Sequence, residues 1–283
     1  MVQSIALRRI ARVIKALRIT EWRAYVGMTV YGSLLASREL LDFLKTLPIL
    51  TMAIFLYMAS AYLANNVFDV EGDRLNERKS SRNPFTTNLL SRTEGLVLVL
   101  VMSSLGMSLV MMTTDIFASA SYVIGLLIAL MYSIPPARLK ERSPLDLISH
   151  SIFFGVALVS FGFHVNGNSL PDIYLLTTIA IYSTILELRN EIEDLDADKE
   201  AGYRTTAVVL GHERSVRLLK GLFITFVLVS LISLCKVNPL VIALLVICLT
   251  TILVTKTSFD YKVRLMDAYA VIYYLVVLIV NAL

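Results

Sequence analysis

The sequence predicts an all-α, polytopic membrane protein with nine transmembrane helices, and three observations predict it. Of 283 residues, 57% are hydrophobic and 17% charged, with a mean hydropathy of +0.72. That apolar share lies well above the usual composition of a soluble domain. Apolar stretches recur at about 24–37, 47–68, 94–113, 116–134, 146–164, 172–190, 217–235, 238–255 and 266–283. Most reach the roughly 18–20 residues that a helix needs to cross about 30 Å of hydrocarbon. Finally, the segments 1–23, 69–93, 135–145, 189–220 and 256–265 hold 23 of the 26 lysines and arginines. Only Arg38, Lys45 and Lys236 fall on the other side. Cationic loops stay on the cytoplasmic face, so this bias places the N-terminus inside and the C-terminus outside.

Residues 1–22 form the first unit. Ile10, Val13, Ile14 and Leu17 share one helical face with arginines opposite, the pattern of an amphipathic helix on the cytoplasmic leaflet rather than of a signal peptide. Residues 23–283 form a single membrane domain. Its first span is the weakest, interrupted by Arg38 and Glu39, and Trp22 and Arg23 suit the membrane–water boundary where it begins. The second span ends in NNVFDVEGDRLNERKSSRNP, too long and too charged for a simple turn. The third and fourth carry Met102, Met107, Met111 and Met112, which read as ordinary packing. MYSIPPARLKERSP closes the fourth, with two prolines that stop a helix. His150 and His164 in the fifth read as packed or interfacial histidines. Cys235 and Cys248 lie near opposite ends of the hairpin of spans seven and eight, which implies neither a disulfide framework nor a metal site. The net charge of +4 follows from loop topology, so nucleic-acid binding is not implied.

Function concentrates at the ends of spans two and six. Asn65, Asp69 and Asp73 recur every four residues, and so do Asn190, Asp194 and Asp198, 125 residues downstream. On a helix such a spacing stands the three side chains on one face. An amide and two carboxylates make a hard, negative, oxygen-rich site of the kind Mg²⁺ uses while keeping waters and bridging to phosphate oxygens. Glu191 is a further oxygen donor beside the second set. Each cluster is followed at once by a cation (Arg74, Lys199) and then by an arginine (Arg82, Arg204). Acids that hold a metal, cations that hold phosphate and apolar helices alongside suit a diphosphate carried on a long hydrocarbon. An allylic diphosphate ionised in a dry site yields a cation that an acceptor, not water, captures.

These motifs resemble a known family. NxxxDxxxD after span two, YSIPPARLK after span four and DLDADKEAGYRT after span six are similar to the three signatures of the UbiA superfamily of intramembrane prenyltransferases. The resemblance covers nearly the whole chain. It implies a helical barrel around a central cavity, with a cytoplasmic cap made of the motif-bearing loops and an opening to lipid. It assigns Asn65, Asp69 and Asp73 to one Mg²⁺–diphosphate site and Asp194 and Asp198 to the other. Lys140, Arg82 and Arg204 would contact diphosphate, and Tyr132 would face the allyl cation. Mg²⁺, replaceable by Mn²⁺, is the implied cofactor and a polyprenyl diphosphate the implied donor. The chain departs from the family pattern at Asn66, at Glu191 and at Arg82-Asn83-Pro84, where an Arg-Pro pair is usual. The acceptor stays open. A hydroxybenzoate or naphthoate of quinone biosynthesis leads, ahead of a glycerol-phosphate ether lipid, haem or a polyene.

Two rival classes fit less well. Coupling acids of secondary transporters usually sit near the bilayer midplane, whereas these stand at helix ends beside basic loops. Phosphotransferases that act on CDP-alcohols need a DxxDG opening, and here Asp69 is followed by Val-Glu-Gly-Asp.

Overall fold

The computed structural model describes residues 13–14, 16–74, 77–88, 90–167, 170–234 and 259–282. The described residues are helical, with no strand among them. The long helices are α1 (Arg23–Ala36), α2 (Leu40–Phe68), α5 (Arg92–Thr113), α6 (Ile116–Ser133), α7 (Leu145–Asn166), α8 (Ile173–Glu193), α11 (His212–Ser233) and α12 (Phe259–Ala282). Short helices α3 (Val70–Arg74), α4 (Glu77–Arg82), α9 (Leu195–Glu200) and α10 (Thr206–Leu210) lie in the connections. Six of them, α2, α5, α6, α7, α11 and α12, contain a stretch long and apolar enough to cross a membrane. Helix α1 has 14 residues, too few to span alone, and α8 carries Glu187, Arg189, Glu191 and Glu193 in its last two turns. The expected span at 238–255, both cysteines and most of the N-terminal amphipathic stretch lie outside the described residues.

Local chemistry sets the helix starts. Ser91 and Glu94 form a reciprocal capping box at α5, while Asp115 and Asp172 accept backbone N–H groups at the starts of α6 and α8. Each side-chain oxygen satisfies a donor that has no partner within its helix. At 29 residues, α2 extends seven residues upstream of its expected start and tolerates Pro48 in its early turns.

Packing runs in a ring. Helix α2 lies against α5 and α6, α6 against α7, α7 against α8, and α8 against α11. Tyr269 and Tyr273 of α12 bond Ser230 and Ser233 of α11, each at 2.8 Å. Tyr274 of α12 meets Tyr31 of α1 at 5.4 Å between ring centroids, and α1 closes the circuit on α7. That last crossing is tight. A Cβ on Gly162 would stand 2.0 Å from the Thr29 carbonyl oxygen, so only glycine lets the two backbones approach. Asn166 ties the far ends of α1, α2 and α7 through Ser33, Ser37 and Thr46.

Outward faces carry Leu100, Leu105, Met111, Met112, Phe117, Ile124, Leu228, Ile272 and Leu275 exposed, as a bilayer demands. Met111 and Met112 thus point outward, whereas Met102 and Met107 pack against the core. Trp22, at the start of α1, is buried edge-on against Phe55. Leu17 of the amphipathic stretch is also buried in the core.

Candidate active site

Both acidic clusters are built the same way. Helix α2 ends at Phe68, and Asp69 leaves helical geometry at φ −97°, ψ 5° while its N–H still reaches the Asn65 carbonyl at 2.9 Å. Helix α3 then starts afresh, with the Asp73 N–H on the Asp69 carbonyl at 2.8 Å. Helix α8 repeats the pattern. Asp194 caps it at φ −92°, ψ 4°, its N–H is 2.9 Å from the Asn190 carbonyl, and Asp198 follows in α9 with its N–H 2.9 Å from the Asp194 carbonyl. The expected continuous helical face is therefore broken at the middle residue of each cluster. The i to i−4 bonds carry across the break and keep the side chains in sequence along one edge.

The clusters meet at one cavity of about 580 Å³. Asn65, Asp69, Asp73, Asn190, Glu191, Asp194 and Asp198 all line it, with Arg82, Lys140 and Tyr132. Lys140 is the central cation: its Nζ touches Asp69 Oδ1 and lies 3.0 Å from Asn65 Oδ1. Asn65 Oδ1 also accepts from Ser133 at 3.3 Å. Arg204 is exposed and does not line this cavity; its carbonyl accepts the Ser143 N–H. Glu191 Oε2 accepts the Ala207 N–H at 2.9 Å, while its Oε1 has no hydrogen-bond partner among the described residues. Buried Asp146 joins it by accepting the Thr206 N–H and hydroxyl, so two carboxylates anchor the start of α10. Arg142 is bonded to the Pro136 carbonyl at 2.6 Å, away from the acids.

Several contributors escaped sequence reasoning. Buried Asn83 donates to Asp73 Oδ2 and to the Asn66 carbonyl, each at 2.8 Å, so the residue that splits the usual Arg-Pro pair orients an acid. Buried Asn66 donates to the Ala16 carbonyl, an amide role. Arg138 bonds the Phe68 carbonyl at 3.3 Å and Asp69 at 3.5 Å, and lies over the Tyr203 ring. Burial pushes the Tyr203 hydroxyl up to about 12, so it stays a neutral phenol near pH 7. Arg18 and Arg82 both engage Glu21. His150 faces the cavity and Glu187, rather than serving only as packing. No local motif announces the contacts of Asn66 with Ala16, Arg138 with Asp69 or His150 with Glu187, because each partner is distant in the chain.

Among the described residues no three acids or histidines converge closely enough to hold a metal by themselves. The donor set suits Mg²⁺ nonetheless: hard oxygens from two helix ends at one cavity, each offering one or two carboxylates to a cation that also takes phosphate oxygens and water.

Paired acid clusters and an interleaved lysine thus meet at one cavity of an all-helical chain with six candidate membrane spans among its described residues. The chain belongs to the UbiA prenyltransferase family, whose model matches residues 25–277. That family is one of prenyltransferases, and the chain spans less than two thirds of the length of most of the curated relatives it matches. It is 28% identical over 196 residues to lycopene elongase/hydratase of Haloferax volcanii, covering 69% of this chain and 63% of that one. It is 28% identical over 134 residues to 1,4-dihydroxy-2-naphthoate octaprenyltransferase of Bacillus subtilis, covering 45% and 43%. Its fold is similar to that of a UbiA homolog from Archaeoglobus fulgidus bound to GPP and Mg²⁺, with a TM-score of 0.72 and 18% identity over 96% of this chain and 99% of that one.

Proposed function

We propose that this enzyme moves the isoprenyl group of a polyprenyl diphosphate to an electron-rich acceptor, an aromatic ring or a polyene, in an Mg²⁺-dependent reaction. The observation that carries the reading is the shared cavity, where two carboxylate pairs, Lys140 and Tyr132 stand together. Asn65, Asp69 and Asp73 hold one metal–diphosphate contact, and Asp194 and Asp198 the other. Bound Mg²⁺, or Mn²⁺ in its place, supplies positive charge that neutralises the diphosphate as the allylic C–O bond breaks. Lys140 adds a direct ammonium–oxyanion contact, and Arg82 guards the rim. Tyr132 presents an aromatic surface to the cation, and the apolar helices exclude water until the acceptor has reacted.

Orientation follows the charge bias: the N-terminus and the site are cytoplasmic, the C-terminus is outside, and nine helices surround the cavity beneath a cytoplasmic cap. The acceptor class draws support from relatives named for lycopene and for dihydroxynaphthoate. The test is to incubate the purified protein with Mg²⁺, labelled geranylgeranyl diphosphate and an acceptor panel. Labelled product that forms only with metal supports the reading. Transport of label across a sealed vesicle without chemistry would replace it with the transporter class.

A further inference from the structure

Beside the acids, the same cavity carries an aromatic lining: Tyr25, Tyr62, Tyr132, His150, Phe153 and Phe154. Tyr25 stacks on Phe154 at 3.9 Å, and Tyr132 meets Phe153 at 5.0 Å. A π-helical stretch at Ser151–Val156 of α7 sits where His150, Phe153 and Phe154 reach the cavity. Such bulges re-aim side chains that a regular helix would carry elsewhere.

Into this aromatic group projects one carboxylate, Glu187 of α8, one turn before the second acid cluster. Its side chain is 12% exposed. Oε1 accepts the Tyr132 hydroxyl, and Oε2 lies 3.3 Å from His150 Nε2 and 3.4 Å from Asn190 Nδ2. His150 is held in turn by Ser183 at 3.2 Å from Nδ1. Three helices, α6, α7 and α8, thus fix the carboxylate in place. The cations lining the cavity are engaged elsewhere, Arg18 and Arg82 on Glu21 and Lys140 on Asp69.

Resting on the proposed prenyl transfer, we propose that Glu187 is the fixed counter-charge for the carbocation and that it restricts the acceptor to an uncharged π system. The allylic C–O bond breaks with its electron pair leaving on the diphosphate. A π pair of the acceptor then forms the new C–C bond, which moves the positive charge to an acceptor carbon. The neighbouring C–H pair refills that carbon as its proton passes to a diphosphate oxygen. From ionisation until that proton leaves, a cation stands against the aromatic lining, where a preorganised carboxylate is worth far more than in water. Tyr132 adds to this, because a phenol that donates to a carboxylate has a more electron-rich ring face. The same charge repels an anionic acceptor. This narrows the aromatic acceptors expected from sequence to those without a carboxylate.

Glu187→Gln keeps the shape and an oxygen for Tyr132 while removing the charge. Wild type and variants are assayed in lipid nanodiscs with Mg²⁺ and geranylgeranyl diphosphate, using lycopene as the uncharged acceptor and 4-hydroxybenzoate as the anionic one. Wild type is expected to favour lycopene at least tenfold. Glu187→Gln is expected to lower kcat on lycopene about 10²-fold with the donor KM within threefold. Tyr132→Phe is expected to cost less in the Glu187→Gln background than alone, since the two act as a unit. Thermal unfolding of the variant near wild type excludes loss of fold. Unchanged kcat in Glu187→Gln, additive losses, or a wild-type preference for 4-hydroxybenzoate overturns the inference while leaving prenyl transfer intact. No metal-dependent consumption of the donor by wild type overturns both.

Discussion

Asn83 donates a 2.8 Å hydrogen bond to Asp73 Oδ2 and holds the Asn66 carbonyl at the same distance, tying the end of the first acidic segment back to the end of α2. The Phe85 N–H fixes the other end of the amide at 3.0 Å. Asn83→Ala removes one contact that orients Asp73 and leaves a buried carbonyl short of a donor. We expect the Mg²⁺ concentration for half-maximal rate to rise about tenfold, worth roughly 1.4 kcal/mol. Asn83→Asp should lose at least as much, because it sets a like charge against Asp73. A metal titration of both variants checks this, and a wild-type titration curve for Asn83→Ala refutes it.

Gly72 and Tyr203 bring the two acidic segments into contact. A Cβ at Gly72 would lie 2.0 Å from the Tyr203 hydroxyl oxygen and 3.0 Å from its Cζ. Gly72→Ala should therefore cost about 1–3 kcal/mol of local strain and lower the rate. In a Tyr203→Phe background the nearest obstacle is gone, so the same substitution should cost less. Thermal unfolding and turnover of the four proteins decide it; equal costs in both backgrounds would contradict the contact.

Lys140 and Arg142 obey the positive-inside rule equally, yet only Lys140 touches Asp69. Lys140→Ala should lower kcat/KM by about 10²-fold, roughly 2.7 kcal/mol. Arg142→Ala should stay within about threefold, as for an exposed loop charge. Prenyl transfer at matched expression and confirmed insertion is the measurement. Equal losses would reduce this loop to a topological element.

Metal dependence tests both clusters together. Chelation by EDTA should abolish turnover and Mg²⁺ or Mn²⁺ restore it, since carboxylates alone repel a diphosphate. Asp69→Ala, Asp73→Ala, Asp194→Ala and Asp198→Ala should each cost at least about 10²-fold, the scale of one lost transition-state charge stabiliser. Wild-type rates in any two of them would sink the site assignment.

Much of this was legible in the sequence because it is local. Hydropathy over about 20 residues locates apolar helices whatever their neighbours, and α2, α5, α6, α7, α11 and α12 appear close to their expected ranges. The four-residue spacing of Asn65, Asp69 and Asp73, and its repeat at Asn190, Asp194 and Asp198, marked both ends of the cavity. Charge composition and motif order pointed to the enzyme class. Tertiary structure alone decided who touches whom. Lys140 reaches Asp69 across 71 residues, and Tyr132 reaches Glu187 across 55. Arg204 follows its cluster as Arg82 follows the first, yet only Arg82 lines the cavity. Glu191 reads as a metal donor beside its cluster, and the fold also sets its Oε2 against the Ala207 N–H while it lines the cavity. The physical reason is that periodicity states which face of a helix is apolar, not which helix that face meets. The direction of each polar side chain is set by the closing of the ring, when burial drives most donors and acceptors to find a partner.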